Sequence, residues 1–405
     1  MKIAYEKTYD VAVVGGGIAG VAAALQAARC GMRTVLIEKT VLPGGLATTG
    51  LVRVYLPLCD GNGHQVSFGI TEELLRASYK YGPGDIPENW KDGKNAPESG
   101  RFRALFSPAS FILALDELLE EAGVDIWYDT LVCDAEVENN RITAIHCENT
   151  SGRGKIFAKQ FIDASGDCTV ARRAGVPCHD EYNFLSLWAM QYDKNLKRED
   201  DFGPGVGIYV AGVPWNPAKA PEGTVFRGED GRQVTDFMLK SRKLLREQCQ
   251  RAYTNEPENY NRNSYYPLKV PAMTQFRKIF SIDAEYIPGS DDHDKDFEDS
   301  IGIAGDWRRP GPVWVIPYRS LYPACHLGGL LAAGRCTGAK DDAWEITRVI
   351  PTAALTGQVA GLAAVLCIQN GVEPYELDVK LLQNELKNKY GFPLTLADVG
   401  LTLKA

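Results

Sequence analysis

Gly15-Gly16-Gly17-Ile18-Ala19-Gly20 sets glycines at the first, third and sixth positions of G-x-G-x-x-G. The chemistry of such a loop is anion binding. The first glycine permits a tight turn, the second lets a pyrophosphate come close to the backbone, and the third lets a helix pack tightly on a strand. Glu38 follows at close to the usual interval of about 20 residues, and a carboxylate there accepts hydrogen bonds from ribose hydroxyls. Histidine is sparse, with five in 405 residues. His64, His146, His179 and His293 sit in polar or irregular contexts that suit structural or exposed roles, whereas His326, just ahead of an apolar run, is better placed.

The elements that must position the loop follow in order. Val11-Ala12-Val13-Val14 is a short apolar run of strand type. The segment Val21 to Arg29 is rich in alanine, the best helix former. Gly31 stops it, and Thr34-Val35-Leu36-Ile37 reads as a second strand ending at Glu38. Strand, loop, helix, stop, strand and acid together form a dinucleotide-binding βαβ unit, with the diphosphate at the helix start near Ile18 and Ala19. Further on, the spacing predicts a helix at about 70–80 and another at 109–122, capped by Ser107 or Ser110. A β-meander is expected over 124–148, and residues 81–100 read as a long surface excursion. From 176 to 321 aromatics, prolines and charges increase around one long helix at 231–253, which reads as an inserted domain. The expected division is 1–175 and 322–405 for the nucleotide-binding domain, with 176–321 inserted.

Lys plus Arg is 44 against 52 Asp plus Glu, a net charge of −8. That balance argues against nucleic-acid or anionic-membrane partners, which need a basic surface. Met1 to Tyr9 lacks the apolar core of a signal peptide, and 353–368 is short and interrupted for a membrane span, so a buried helix is expected there. Ten scattered cysteines without zinc spacing suggest reduced thiols, a cytoplasmic location and no metal site. The acidic run Asp291 to Asp299 reads as a solvated loop.

Four blocks resemble the FAD-dependent oxidoreductases of the glutathione-reductase-like class, in the form with one flavin domain and an inserted substrate domain. They are Gly15–Gly20 with Glu38-Lys39; Pro43-Gly44-Gly45-Leu46-Ala47-Thr48-Thr49-Gly50; Phe161-Ile162-Asp163-Ala164-Ser165-Gly166-Asp167; and Leu330 to Arg335 followed by Arg348-Val349-Ile350-Pro351 and Gly357 to Gly361. Two pieces of the insert, Pro271 to Ile279 and Ile316 to Leu321, are similar to further family segments, although Gln275-Phe276 departs from the pattern. The resemblance implies an α/β fold: a Rossmann-like FAD domain of parallel strands, helices and a β-meander, carrying a mixed α+β substrate domain. It also implies FAD as cofactor. Gly45, Leu46, Ala47 and Thr48 would run along the flavin, Val132 would edge the adenine, and Ala164, Ser165, Gly166 and Asp167 would close over the diphosphate and ribityl chain. Gly334, Arg335, Pro351 and Thr352 would complete the site. A helix beginning at Pro351 directs its positive end at the flavin edge where charge collects on reduction.

Arg277, Lys278, Arg319 and Arg348 are the candidate cations, because arginine forks suit carboxylates. Tyr318, His326 and Glu345 are candidate acids or bases; Cys336 reads as a packing residue, with a flavin–cysteinyl bond or redox partnership as the alternative, and Trp344 either covers the ring or fills a gap. The reaction expected is hydride transfer between a small polar substrate and flavin N5, by dehydrogenation of a C–H beside oxygen or nitrogen, with a separate electron acceptor or donor. Reduction of an activated C=C bond is the alternative. An FAD-binding RNA-modifying or non-catalytic interaction protein is the reading of another class.

Overall fold

Residues Val11 to Val14 carry no polar side chain, and they form the buried end of strand β1 (Tyr5–Val14). In the computed structural model, which describes residues 2–86, 90, 103–197, 204–213 and 217–401, β1 lies at the centre of a seven-stranded sheet. Helix α1 (Ile18–Arg29) returns the chain to β2 (Thr34–Ile37), parallel to β1 with Val13 opposite Leu36. Helix α2 (Ile70–Ala77) and helix α3 (Pro108–Glu121) follow, the latter capped by Ser107, whose side chain accepts from the Ser110 N–H. Strand β3 (Asp125–Trp127) pairs with β2. Then β4 (Leu131–Glu138), β5 (Arg141–Asn149) and β6 (Gly152–Asp163) form the meander, and β6 runs parallel to β1. The two-residue turn Asn139-Asn140 has positive φ at both positions, the twist a tight hairpin needs.

After the short helix α4 (Thr169–Arg173) the chain leaves this sheet. Strands β7 (Ser186–Asp193), β8 (Val206–Gly212) and β9 (Tyr265–Lys269) form a separate antiparallel sheet with β7 in the middle. Helix α5 (Gly231–Asn255), capped by Asp230, covers one face. This layer has its own small cores, one of Leu185, Phe226, Phe237 and Phe276 and one of Leu187, Ala189 and Leu245. The hairpin β10 (Ser300–Gly305) and β11 (Val313–Pro317) behaves differently: Ile301, Ala304, Trp314 and Ile316 bury in the main core with α1 and the helix Ile350–Asn370. Hydrophobic burial therefore joins 300–321 to the nucleotide-binding body rather than to the insert in which the sequence reading grouped it.

Strand β12 (Leu330–Ala332) re-enters the main sheet beside Phe161 to Asp163 of β6. Helices α6 (Asp341–Thr347), α7 (Ile350–Asn370) and α8 (Val379–Tyr390) close the fold. Among the described residues α7 alone is long and apolar enough to cross a membrane, and that apolar stretch is wholly buried inside the protein. It crosses α1 at backbone distance. A Cβ on Gly357 would lie 2.1 Å from the Ala19 carbonyl oxygen, and one on Gly361 would lie 2.5 Å from that of Ala23.

The acidic run Asp291 to Asp299 is a loop exposed at Asp291, Asp296 and Glu298, and its carboxylates also order neighbouring backbone: Asp292, Asp294 and Asp296 accept from the N–H groups of Gly289, Val313 and Leu396. Carboxylates there satisfy backbone donors that no strand or helix pairs. Residues 271–279 form no regular strand before Phe280, and Gln275 makes the hydrogen bonds a ladder would have made. Of the 81–100 excursion, 87–89 and 91–100 fall outside the described residues, whereas Trp90 is buried.

Gly357→Ala forces α1 and α7 apart and should cost about 2 kcal/mol or more. Gly231→Ala, with nothing within 4 Å of the new carbon, should be neutral or slightly stabilising. Denaturant unfolding of both variants checks the contrast.

Candidate functional site

The Gly15–Gly20 loop turns from β1 into α1 because Gly15 adopts φ +101°, and a side chain there would lie 2.5 Å from the Ala164 carbonyl oxygen. Gly20 packs against the Gly15 carbonyl even more closely. Gly17 differs: a Cβ added there meets nothing within 4 Å and projects into a cleft. Helix α1 begins at this point without a side-chain cap and without an acidic residue in its first turn. Glu38 is buried and held by both oxygens, accepting from the Gly16 N–H at 2.7 Å and the Thr40 N–H at 2.8 Å. The second glycine loop is tied directly to the first, since the Gly44 N–H donates to the Gly16 carbonyl at 2.7 Å.

The cleft these loops enclose has a volume of about 710 Å³. Gly15, Gly17, Ile18, Ala19, Glu38 and Lys39 line one side. Gly45, Leu46, Ala47 and Thr49 line another, and Ala164, Ser165, Gly166, Gly334 and Arg335 close it. A second recess of about 310 Å³ shares Gly15, Glu38, Lys39 and Ser165 and extends the groove to Val132. Helix α7 also starts here uncapped and without an acidic first turn, with Ile350 and Ala353 on the cleft wall. Two free helix N-termini on one groove suit a long ligand that is anionic in its middle and gathers negative charge at one end.

The turn after β6 is organised by a fully buried carboxylate. Asp163 accepts from the N–H and hydroxyl of Ser165 and from the Ala171 N–H; burial raises its pKa against these bonds. Burial pushes Asp167 in the same direction, but Lys39, Thr169, Ser165 and Arg335 outweigh it and hold the carboxyl below its ordinary value. Cys336 Sγ lies beneath this turn, accepting from the Gly166 N–H at 3.2 Å and the Cys168 N–H at 3.4 Å. Trp344 is buried and donates to the Arg335 carbonyl.

Arg348 lines the cleft and is paired with Glu345, which also holds Lys278 at 3.1 Å. Burial raises the Glu345 pKa, yet Arg348 and Lys278 prevail and keep it low. Beyond these residues lies a recess of about 360 Å³ lined by Asn183, Ser186, Arg277 and Lys278 among others. Arg277 donates to the Gln275 carbonyl, and Arg335 to the carbonyls of Gly166 and Phe276; among the described residues neither has an ion-pair partner. Burial, then the facing charges of Arg348 and Arg335, press the Arg277 pKa well down.

The predicted residues divide accordingly. Gly15, Gly17, Ile18, Ala19, Glu38, Lys39, Gly45, Leu46, Ala47, Ala164, Ser165, Gly166, Gly334, Arg335 and Arg348 line the main cleft, and Val132 its extension. Gly20, Thr48, Asp167, Pro351 and Thr352 support it from behind; Thr48, for example, turns its hydroxyl onto the Pro43 carbonyl. Arg277 lines the neighbouring recess. Tyr318 and Arg319 do not join the site. Tyr318 is buried, its hydroxyl donating to the Pro374 carbonyl at 2.9 Å, and Arg319 pairs with Asp299. His326 is exposed, stacked on Tyr375 and bonded to Glu285. Thr40, Thr49, Met273, Ile350 and Ala353 were missed on the cleft wall, and Tyr182, Asn183, Phe184 and Ser186 in the recess. The first group flanks recognised motifs; the second carries no local signal.

A doubly uncapped groove of this length, closed by two glycine loops, defines a dinucleotide flavoprotein. The FAD dependent oxidoreductase family model matches residues 10–181 and 208–386, and the chain belongs to that family. FAD is its cofactor. Similar curated proteins include glutathione reductase of Yarrowia lipolytica, 28% identical over 241 residues, covering 57% of this chain and 47% of that one. Digeranylgeranylglycerophospholipid reductase of Thermoplasma acidophilum is 29% identical over 163 residues, 40% of each. The chain spans less than half the length of the curated relatives it matches. A solved geranylgeranyl bacteriochlorophyll reductase-like protein from T. acidophilum shares the fold at 16% identity and a TM-score of 0.50, over 95% of this chain and 85% of that one.

Gly17→Val fills open cleft and leaves the packing untouched, so the apoprotein should unfold as the parent does while FAD affinity falls at least tenfold. Gly15→Ala should instead lower both, because its new carbon meets backbone and its φ is unfavourable. Flavin fluorescence titration and apoprotein melting separate the two.

Proposed function

We propose that the protein transfers a hydride between a small organic anion and FAD, by dehydrogenation of a C–H beside oxygen or nitrogen. The observation that carries this reading is the cluster of Arg277, Arg335 and Arg348 between the FAD cleft and the recess, in which, among the described residues, Arg348 alone is in an ion pair. Bound FAD supplies the hydride-accepting ring. The protein's own groups bind and orient. Arg277 offers a planar fork to a carboxylate, and that anion would offset the mutual repulsion of the arginines. Glu345 holds Arg348 and Lys278 at fixed positions without filling the recess. Asn183 fixes the backbone of Arg277 and Lys278 by accepting from both N–H groups, at 2.6 and 3.1 Å. A separate electron acceptor would reoxidise the enzyme. The ten free cysteines fit a reducing compartment such as the cytoplasm.

An anaerobic screen of hydroxy and amino acids against the flavin-loaded protein tests this. Bleaching of the oxidised flavin bands by acids, and not by their amides, is expected. If no acid bleaches them but an unsaturated acid reoxidises dithionite-reduced enzyme, the direction is C=C reduction instead. If neither occurs, the reading of a substrate-turning enzyme falls. Arg277→Met should retain FAD and weaken carboxylate binding by roughly 10- to 100-fold, the value of a charge-assisted hydrogen bond.

A further inference from the structure

One face of the β7–β8–β9 sheet is covered and the other is only half-buried. Leu187 and Ala189 of β7 are fully buried against Leu245 of α5, and the Ser241 hydroxyl of α5 donates to the Ser186 carbonyl. The alternate residues point the opposite way. There Trp188 lies opposite Val210, Met190 opposite Ile208, and Tyr192 opposite Val206. Tyr192 also stacks on Tyr266 of β9, with ring centroids 5.1 Å apart. None of these side chains is fully buried, and Val210 is 55% exposed. A strand face of this composition is normally packed.

The face is continuous with the anion recess. Ser186, at its near end, lines the recess with Arg277, and the Arg277 guanidinium lies 5.9 Å from the centre of the Trp188 ring. The same segment reaches the flavin cleft four residues earlier, at Met273. A cation therefore stands where an apolar platform meets the redox site. From Ser186 to Tyr192 the platform runs about 20 Å at the rise of a strand, longer than a two- or three-carbon acid.

We propose that this face binds the apolar body of the substrate, which is an amphipathic carboxylic acid with its carboxylate at Arg277. The proposal rests on the reading of Arg277 as the anion receptor and adds the chemistry of the rest of the molecule. Charge complementarity and continuity with the cleft distinguish this occupant from a second copy of the chain.

The test is calorimetric titration of the flavin-loaded protein with acetate, hexanoate and decanoate. Affinity should rise roughly two- to fourfold per added methylene, so that decanoate binds roughly 20-fold or more tighter than hexanoate. Val210→Asp, at an exposed position that should tolerate the change, should weaken decanoate about tenfold and leave acetate as it was. Arg277→Met should weaken all three by a similar factor. Equal binding of the three acids, lost together in Arg277→Met, overturns the apolar platform and leaves the anion reading intact. Failure of every acid to bind removes the anion reading and the proposal with it. A Val210→Asp variant that changes sedimentation from dimer to monomer, with decanoate affinity unchanged, overturns the proposal in favour of a self-association face.

Discussion

Helices α1 and α7 touch through their backbones, with no room at Gly357 or Gly361 for a single carbon. That approach brings the first turns of both helices onto one groove, although they are separated by most of the chain. Each start is uncapped, so its N–H groups are not taken up by a serine or aspartate and remain available to a ligand in the groove. The alanine content of α1 and the glycine spacing of α7 are thus less about helix propensity than about interaxial distance. Leucine at these positions would suit a helix equally well and would part the two dipoles.

Around this frame the charges are arranged unequally. At the diphosphate end, the carboxylates Glu38 and Asp163 are saturated by backbone N–H groups and shape the loops. At the far end cations outnumber the carboxylates that neutralise them. Glu345 pairs with Arg348 and, together with Glu181, with Lys278, while Arg277 and Arg335 have no ion-pair partner among the described residues and rest on carbonyls. Burying guanidinium groups without anions is costly, and such an excess is typical of a site built to receive charge.

Much of the frame is legible in the residue order because its information is local. Gly15 to Glu38 encodes strand, turn, helix and acid within one stretch, and the Ala164–Asp167 turn and the helix start at Pro351 are likewise contiguous. The parallel-dominated α/β fold follows from those pieces. Tyr318 and Arg319 illustrate what sequence pattern does not carry. A tyrosine and an arginine at a strand end look available, but Pro374 and Asp299, which engage them, are identifiable only after folding. Asn183 and Ser186 lie about 90 residues before Arg277 and meet it through a sheet whose register no short motif specifies. Within the exposed acidic run, hydrophilic composition does not distinguish carboxylates that only face water from those that also satisfy loop donors.

Gln275 has one further consequence. Its amide donates to the Gly50 carbonyl at 2.5 Å and to the Trp188 carbonyl at 2.9 Å, and accepts from the Trp188 N–H at 2.9 Å. One buried side chain thus rivets the Gly44–Gly50 loop of the cleft to the middle strand of the outer sheet. No hinge residue separates that strand from the cleft loop along this path. The wall of the FAD cleft and the outer sheet thus share one hydrogen-bonded seam, although they are formed by distant parts of the chain.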